Sequence, residues 1–221
     1  MVIIIVNFKT YQKASGEEAV KLARICEKVA KDTKADIMVA VQNVDLFHVS
    51  KEVSIPVLAE HADPVSYGAH TGKDLPESLV DNGATGVIVN HSEDKEELVD
   101  IETVIKRAKG IGLQTIVCAP SPESSEAIAA FSPDFIAVEP PELIGGDISV
   151  SKAKPDLISN TIRLVNKVDK QIPVLCGAGV KDSEDVRIAL ELGCKGILVA
   201  SGITKAKDPE KALRELVSGG V

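Results

Sequence analysis

Five short stretches carry side chains whose types and spacing could do chemistry on one small molecule. Near the start, Asn7 and Lys9 stand two residues apart, after the apolar run VIIIV at 2 to 6. Two-residue spacing sends both to one side of an extended strand, so an amide and an ammonium can point together. Asn90-His91-Ser92-Glu93 follows the run GVIV, and Glu139 follows FIAV and precedes Pro140, Pro141 and Glu142. The two prolines deny Glu139 a casual role as a helix cap and fix the backbone after it. Two later apolar runs end in small residues, Gly177-Ala178-Gly179 and Ala200-Ser201-Gly202. Backbone N–H groups at such turns accept an anion, and glycine lets it approach closely. The inventory is one carboxylate able to act as a general base, one imidazole, one ammonium with its amide, and an anion cradle. Taken singly, each is compatible with an ordinary surface or turn residue. Their weight comes from standing together on one face.

The elements that must position them are legible in the hydropathy pattern. Eight β-rich runs, at 2 to 6, 37 to 41, 56 to 60, 86 to 90, 114 to 119, 135 to 139, 173 to 177 and 196 to 201, alternate with segments of helical period. In the segment 16 to 31, Ala19, Leu22, Ala23, Cys26 and Val29 recur at three- and four-residue spacing, and Ser15 with Glu18 reads as a capping box. Ser121-Pro122 and Asp208-Pro209 mark two further helix starts. The second and third helical segments are brief, and 62 to 73 is too rich in glycine and polar residues for a helix.

Such an alternation allows a closed parallel barrel or an open doubly wound sheet. Eight short strands favour closure, a trimmed (β/α)8 barrel, α/β in class, spanning 1–221 as one catalytic domain. The composition agrees: 44% of residues are apolar and 3% aromatic with no Trp, so Val, Ile, Leu and Ala must build strands buried on both faces. In a parallel barrel every group named above then falls at the C-terminal ends of the strands, where such barrels do their chemistry.

Charge and cysteine usage bound the partners. A net charge of −8 makes nucleic acid or an acidic membrane surface an unsuitable partner, because binding phosphate backbones needs a basic face. The four cysteines are scattered in apolar runs without a CxxC pair, as expected of free buried thiols in a reducing cytoplasm. The apolar start VIIIVNF lacks the flanks of a signal peptide and the length of a membrane span. No metal-ligand spacing or nucleotide loop is present, so neither cofactor nor metal is expected. His48, His61 and His70 have no partner pattern.

VNFKT at 6 to 10, NHSE at 90 to 93, VEPPELIG at 138 to 145 and GAGV at 177 to 180, in this order and on these strands, closely resemble the triosephosphate isomerase family, over the whole chain. The shortness of the chain and the PPELIG wording are similar to its compact archaeal branch, whose members tend to be tetramers rather than dimers. The resemblance implies Glu139 as catalytic base, His91 as electrophile, and Asn7 and Lys9 as partners of the substrate oxygens. It implies a phosphate site at Gly145, Gly177, Ala178, Gly179, Ala200, Ser201 and Gly202. It also implies a closing lid at Pro140, Pro141, Glu142, Leu143 and Ile144, in which Glu142 anchors the lid and the Gly145 N–H grips the phosphate. A neutral histidine is the family's known device and comes with the resemblance; a helix expected to begin near Ser92 or Asp94 would favour it, since its N-terminal partial charge disfavours imidazolium.

Three positions depart from the common family pattern. Ala200-Ser201 replaces a glycine after strand eight, Glu142-Leu143 stands where a lid tryptophan is usual, and Lys73 follows Thr71-Gly72 where relatives usually carry Glu. The segment 62 to 73 resembles the family's interdigitating subunit loop, so a homo-oligomer is expected, a tetramer in preference to a dimer. Two other readings stay open: another phosphate-binding barrel enzyme of amino-acid biosynthesis, or a non-catalytic sugar-phosphate-binding barrel. The first does not require Asn-x-Lys on strand one with His on strand four. The second gains nothing from a carboxylate beside a phosphate dianion.

Overall fold

The computed structural model describes residues 2–140, 143 and 149–220. Within them, eight parallel strands close into a barrel in chain order: β1 Ile3–Asn7, β2 Asp36–Val41, β3 Val57–Ala59, β4 Gly86–Val89, β5 Gln114–Ala119, β6 Phe135–Val138, β7 Val174–Gly177 and β8 Gly196–Val199. All eight expected strands are present, and closure is settled by β1 pairing with β8, Ile3 opposite Gly196 through Val6 opposite Val199. Gly196 is what lets that seam close: a Cβ there would lie 2.0 Å from the Ile3 carbonyl oxygen.

Helices on the outside follow the apolar stripes that encode them. Helix α1, Glu17–Thr33, buries Ala19, Leu22, Ala23, Cys26 and Val29, the residues its period picks out. Helices α2, Leu46–Glu52, and α3, Pro76–Asp81, have 7 and 6 residues, as short as expected. Around the rest of the barrel come α4 Leu98–Ile111, α5 Pro122–Ala129, α6 Val150–Ala153, α7 Pro155–Val168, α8 Ser183–Glu191, α9 Ser201–Thr204 and α10 Pro209–Ser218. Two caps stand as anticipated: Ser121 Oγ accepts from the Ser124 N–H, and the Asp208 side chain accepts from the Lys211 N–H, each with proline opening the helix.

The capping box at Ser15 does not form. Gly16 is the N-cap, and Ser15 Oγ donates to the Tyr11 carbonyl at 2.9 Å while accepting from Gln42 Nε2 at 2.8 Å. A contact across the fold has taken the hydroxyl that a local pattern assigned to the helix. The reciprocal box lies on α8 instead, between Asp182 and Asp185.

The barrel has two apolar layers. Between strands and helices runs the larger one, which includes Ile4, Val6, Val39, Val117, Ile136 and Ile197; the barrel interior is filled by Ile5, Met38, Ala40, Leu58, Ile88, Ile116, Cys118, Phe135, Ala137, Leu175 and Leu198. Strands buried on both faces are why their runs read as continuously apolar. Cys26, Cys118, Cys176 and Cys194 are free and buried, and burial pushes the Cys26 thiol up to about 12. Among the described residues, no helix is long and apolar enough to cross a membrane.

Candidate active site

The interior layer dictates what stands at the mouth of the barrel. Side chains alternate along a strand, so the position two residues beyond the last interior one faces inward again. That rule takes Ile5 to Asn7, Ala40 to Gln42, Leu58 to Glu60, Ile88 to Asn90, Cys118 to Pro120, Ala137 to Glu139, Leu175 to Gly177 and Leu198 to Ala200. A ring of polar and small residues therefore caps an apolar barrel. At its edge lies a small cavity lined by Asn7, Lys9, Tyr11, His91, Glu139, the turn Ala178 to Lys181 and the segment Leu198 to Ser201.

Glu139 is 5% exposed, and its backbone N–H donates to the Ala119 carbonyl at 2.9 Å. Its Oε2 lies 3.6 Å from His91 Nε2 and, among the described residues, has no hydrogen-bond partner. Glycine at 177 is what admits this carboxylate: a Cβ there would stand 2.3 Å from Glu139 Cγ. Behind Glu139 sits the Cys118 thiol, which burial and then the Glu139 charge push well above the usual range, so it stays protonated.

His91 is 8% exposed, and its Nδ1 accepts the Glu93 backbone N–H at 3.2 Å. An Nδ1 that accepts carries no proton, so in the neutral ring the proton is on Nε2, facing Glu139 and the cavity. The helix expected just after His91 is absent. Helix α4 begins at Leu98, and the intervening stretch is a turn held by Asn90, whose N–H donates to Glu96 Oε1 at 2.6 Å while its Oδ1 accepts the Glu96 N–H at 3.0 Å. The tautomer thus rests on one backbone N–H instead of a helix terminus.

Lys9 turns back into the cavity through a left-handed backbone, φ 50, with its N–H donating to Asn7 Oδ1 at 3.1 Å. Its Nζ donates to Glu93 Oε1 at 2.8 Å. Of the five non-glycine residues with positive φ among the described residues, Lys9, Asn90 and Ala178 are at this mouth, the kind of clustering that a preorganised site produces.

The anion side is made by two turns. Ala178 and Gly179, at φ 73 and 71, carry the chain away from β7. Strand β8 ends at Val199, two residues sooner than its hydropathy suggested, because Ser201 already opens α9. The first N–H groups of a helix have no partner within it. Ala178, Gly179, Ala200 and Ser201 line the cavity; Gly202 lies behind, where a Cβ would meet the Val180 carbonyl oxygen at 3.0 Å. Gly177 presents its Cβ-less face to Glu139. Of the lid residues, Pro141, Glu142 and Ile144, with Gly145, lie outside the described residues, while the Leu143 N–H donates to the Pro140 carbonyl at 3.0 Å.

Tyr11, Glu60 and Lys181 stand at the mouth without having been singled out in the sequence. Glu60 had a signal available, since it stands two residues past Leu58 as Glu139 does past Ala137. Tyr11 and Lys181 had none, because both lie in turns whose course no local pattern encodes.

Comparison with known proteins agrees with this geometry. A profile of the family described as triosephosphate isomerase matches residues 2–218. The chain is 50% identical over 216 residues to the triosephosphate isomerase of Methanothermus fervidus, covering 98% of this chain and 97% of that protein. It is 48% identical over 215 residues to that of Methanocaldococcus jannaschii, with 97% and 98% covered. Against that of Archaeoglobus fulgidus it is 45% identical over 217 residues, with 98% and 97% covered.

Proposed function

The chain belongs to the triosephosphate isomerase family, and on that premise we propose that it interconverts dihydroxyacetone phosphate and D-glyceraldehyde 3-phosphate, with Glu139 carrying one proton between adjacent carbons. The observation that carries the assignment of roles is the meeting of Glu139 Oε2 and His91 Nε2, 3.6 Å apart, at one cavity with Lys9 and Asn7.

The reaction needs a base that reaches two carbons and donors aimed at the oxygens where charge develops. A carboxylate on a strand end, aimed into the cavity beside His91, can serve as that base, and a positioned general base contributes about 10²- to 10⁴-fold. His91, with its proton on Nε2, donates to the carbonyl oxygen as it becomes an enediolate oxygen. Asn7 and the Lys9 ammonium supply the other donors, already oriented when charge appears. The substrate phosphate lies against the backbone N–H groups of Ala178, Gly179, Ala200, Ser201 and Gly202, while Gly177 keeps room for the base. No cofactor or metal takes part in this scheme.

The chain, 1–221, works as one catalytic domain in the cytoplasm, as a homo-oligomer, a tetramer in preference to a dimer. Exposed Val44 and Phe47 at α2, Tyr67 in the 62 to 73 loop, and Leu98 and Val99 on α4 are apolar surface that assembly would cover. A sedimentation mass of a single chain at micromolar concentration would refute assembly.

The activity is tested by isomerising D-glyceraldehyde 3-phosphate in heavy water without added metal or nucleotide. Deuterium should enter the product with the intact protein, and Glu139→Gln should lose about 10²- to 10⁴-fold in kcat. No conversion by the intact protein, with sulfate still bound, would leave a non-catalytic phosphate-binding barrel.

A further inference from the structure

Glu60 is the carboxylate of the mouth ring that the reaction scheme leaves unused. It follows β3, and its N–H donates to the Val41 carbonyl at 3.2 Å, which fixes its inward aim. Its Oε1 is buried and, among the described residues, has no hydrogen-bond partner. Three charged groups face it: Lys9 after β1, through both its backbone N–H and its ammonium; Asp45 before α2; and Glu93 after β4. Lys9 is held by Glu93 at 2.8 Å, and its charge also acts on Glu60.

We propose that Glu60 is a positioning residue that acts through Lys9: protonated, it leaves the ammonium's field to the anionic ligand, and ionised, it competes for that field and loosens the anion. The proposal rests on the isomerase reading only in taking Lys9 to face the substrate. The working range follows from the surroundings of the carboxyl. Burial raises it most, the Lys9 N–H and charge lower it, and Asp45 and Glu93 raise it again, leaving it at about 7. Its charge therefore appears as pH rises from 6 to 8. A single added negative charge within roughly 10 Å of a bound dianion, partly screened, weakens binding by about five-fold.

Sulfate is the suitable probe because it stays a dianion over this range, so any pH dependence belongs to the protein. With the intact enzyme, the competitive inhibition constant of sulfate should rise about three-fold from pH 6 to pH 8, the part of that five-fold which titrates in this range. In Glu60→Gln the rise should vanish, and the ratio of wild-type to variant KM for dihydroxyacetone phosphate should climb over the same range while the ratio of kcat values stays level. A merely structural Glu60 would shift both constants by a factor independent of pH. Parallel pH profiles in the two proteins would overturn the proposal. So would a sulfate constant that is flat from pH 6 to pH 8 in the wild type alone, which decides the matter even if Glu60→Gln does not fold. An intact protein that does not isomerise at all defeats the isomerase reading; an active one with flat sulfate inhibition defeats only this proposal.

Discussion

Gly177→Ala tests the pose of the base with the least disturbance elsewhere. Gly177 is not among the glycines with positive φ, so its backbone accepts alanine without strain and the effect is steric. The new methyl would stand 2.3 Å from Glu139 Cγ, 2.7 Å from Oε1 and 2.9 Å from Cδ. Carbon atoms pack at about 3.5–4.0 Å, so the carboxylate has to withdraw by roughly 1 Å. A misplacement of about 1 Å at a reacting group costs on the order of 10²-fold in rate. The clash falls on the base, so kcat for dihydroxyacetone phosphate should fall about 10²-fold with KM nearly unchanged. Overpacking of this kind costs about 1–3 kcal/mol, which a thermal melt will register separately from catalysis. A folded Gly177→Ala protein with wild-type kcat would refute the reasoning, since the productive carboxylate would then occupy some other place.

Glu60 also has a consequence for stability, with the sign opposite to the usual carboxylate. Its folded value, raised from 4.5 to about 7, means that the native state keeps a proton that the unfolded chain has released, so stability falls as pH rises from about 4.5 to 7. Glu60→Gln should therefore unfold at higher denaturant than wild type at pH 8, by up to about 3 kcal/mol, with a smaller gain at pH 5; an equal difference at both pH values would contradict this. Ser121→Ala, which removes a formed helix cap, should cost about 1 kcal/mol in urea unfolding. Glu18→Ala should stay within about 0.5 kcal/mol, because Glu18 pairs with exposed Lys21 and not with a capping serine.

Much of the fold is carried by local pattern. Continuous apolar runs at β1 through β8, separated by segments of helical period, are what strands buried on both faces and helices buried on one must look like, so the alternation and its count were readable from the chain. The placement of Glu139, Asn7 and the two small-residue turns followed from the same pattern, because a strand end in a parallel barrel can only deliver its side chains to one mouth. Even the boundaries of α1 came within two residues, since an amphipathic stripe records its own length.

What the chain could not reveal is which groups meet once distant elements are brought together. The Ser15 hydroxyl satisfied a local capping pattern, yet Tyr11 and Gln42 claimed it. His91 looked like the residue before a helix, yet six residues of turn, pinned by Asn90 and Glu96, separate it from α4 and set its tautomer through a backbone N–H. Gly177 read as part of an anion cradle, and its lack of a Cβ serves Glu139 instead. Glu60 read as the end of a short strand, and only closure of the barrel puts Lys9, Asp45 and Glu93 around it. Hydropathy period is a property of neighbours along the chain and survives in one dimension. Hydrogen-bond choice, free volume and electrostatic field depend on distances between residues far apart in sequence, and those exist only in the folded barrel.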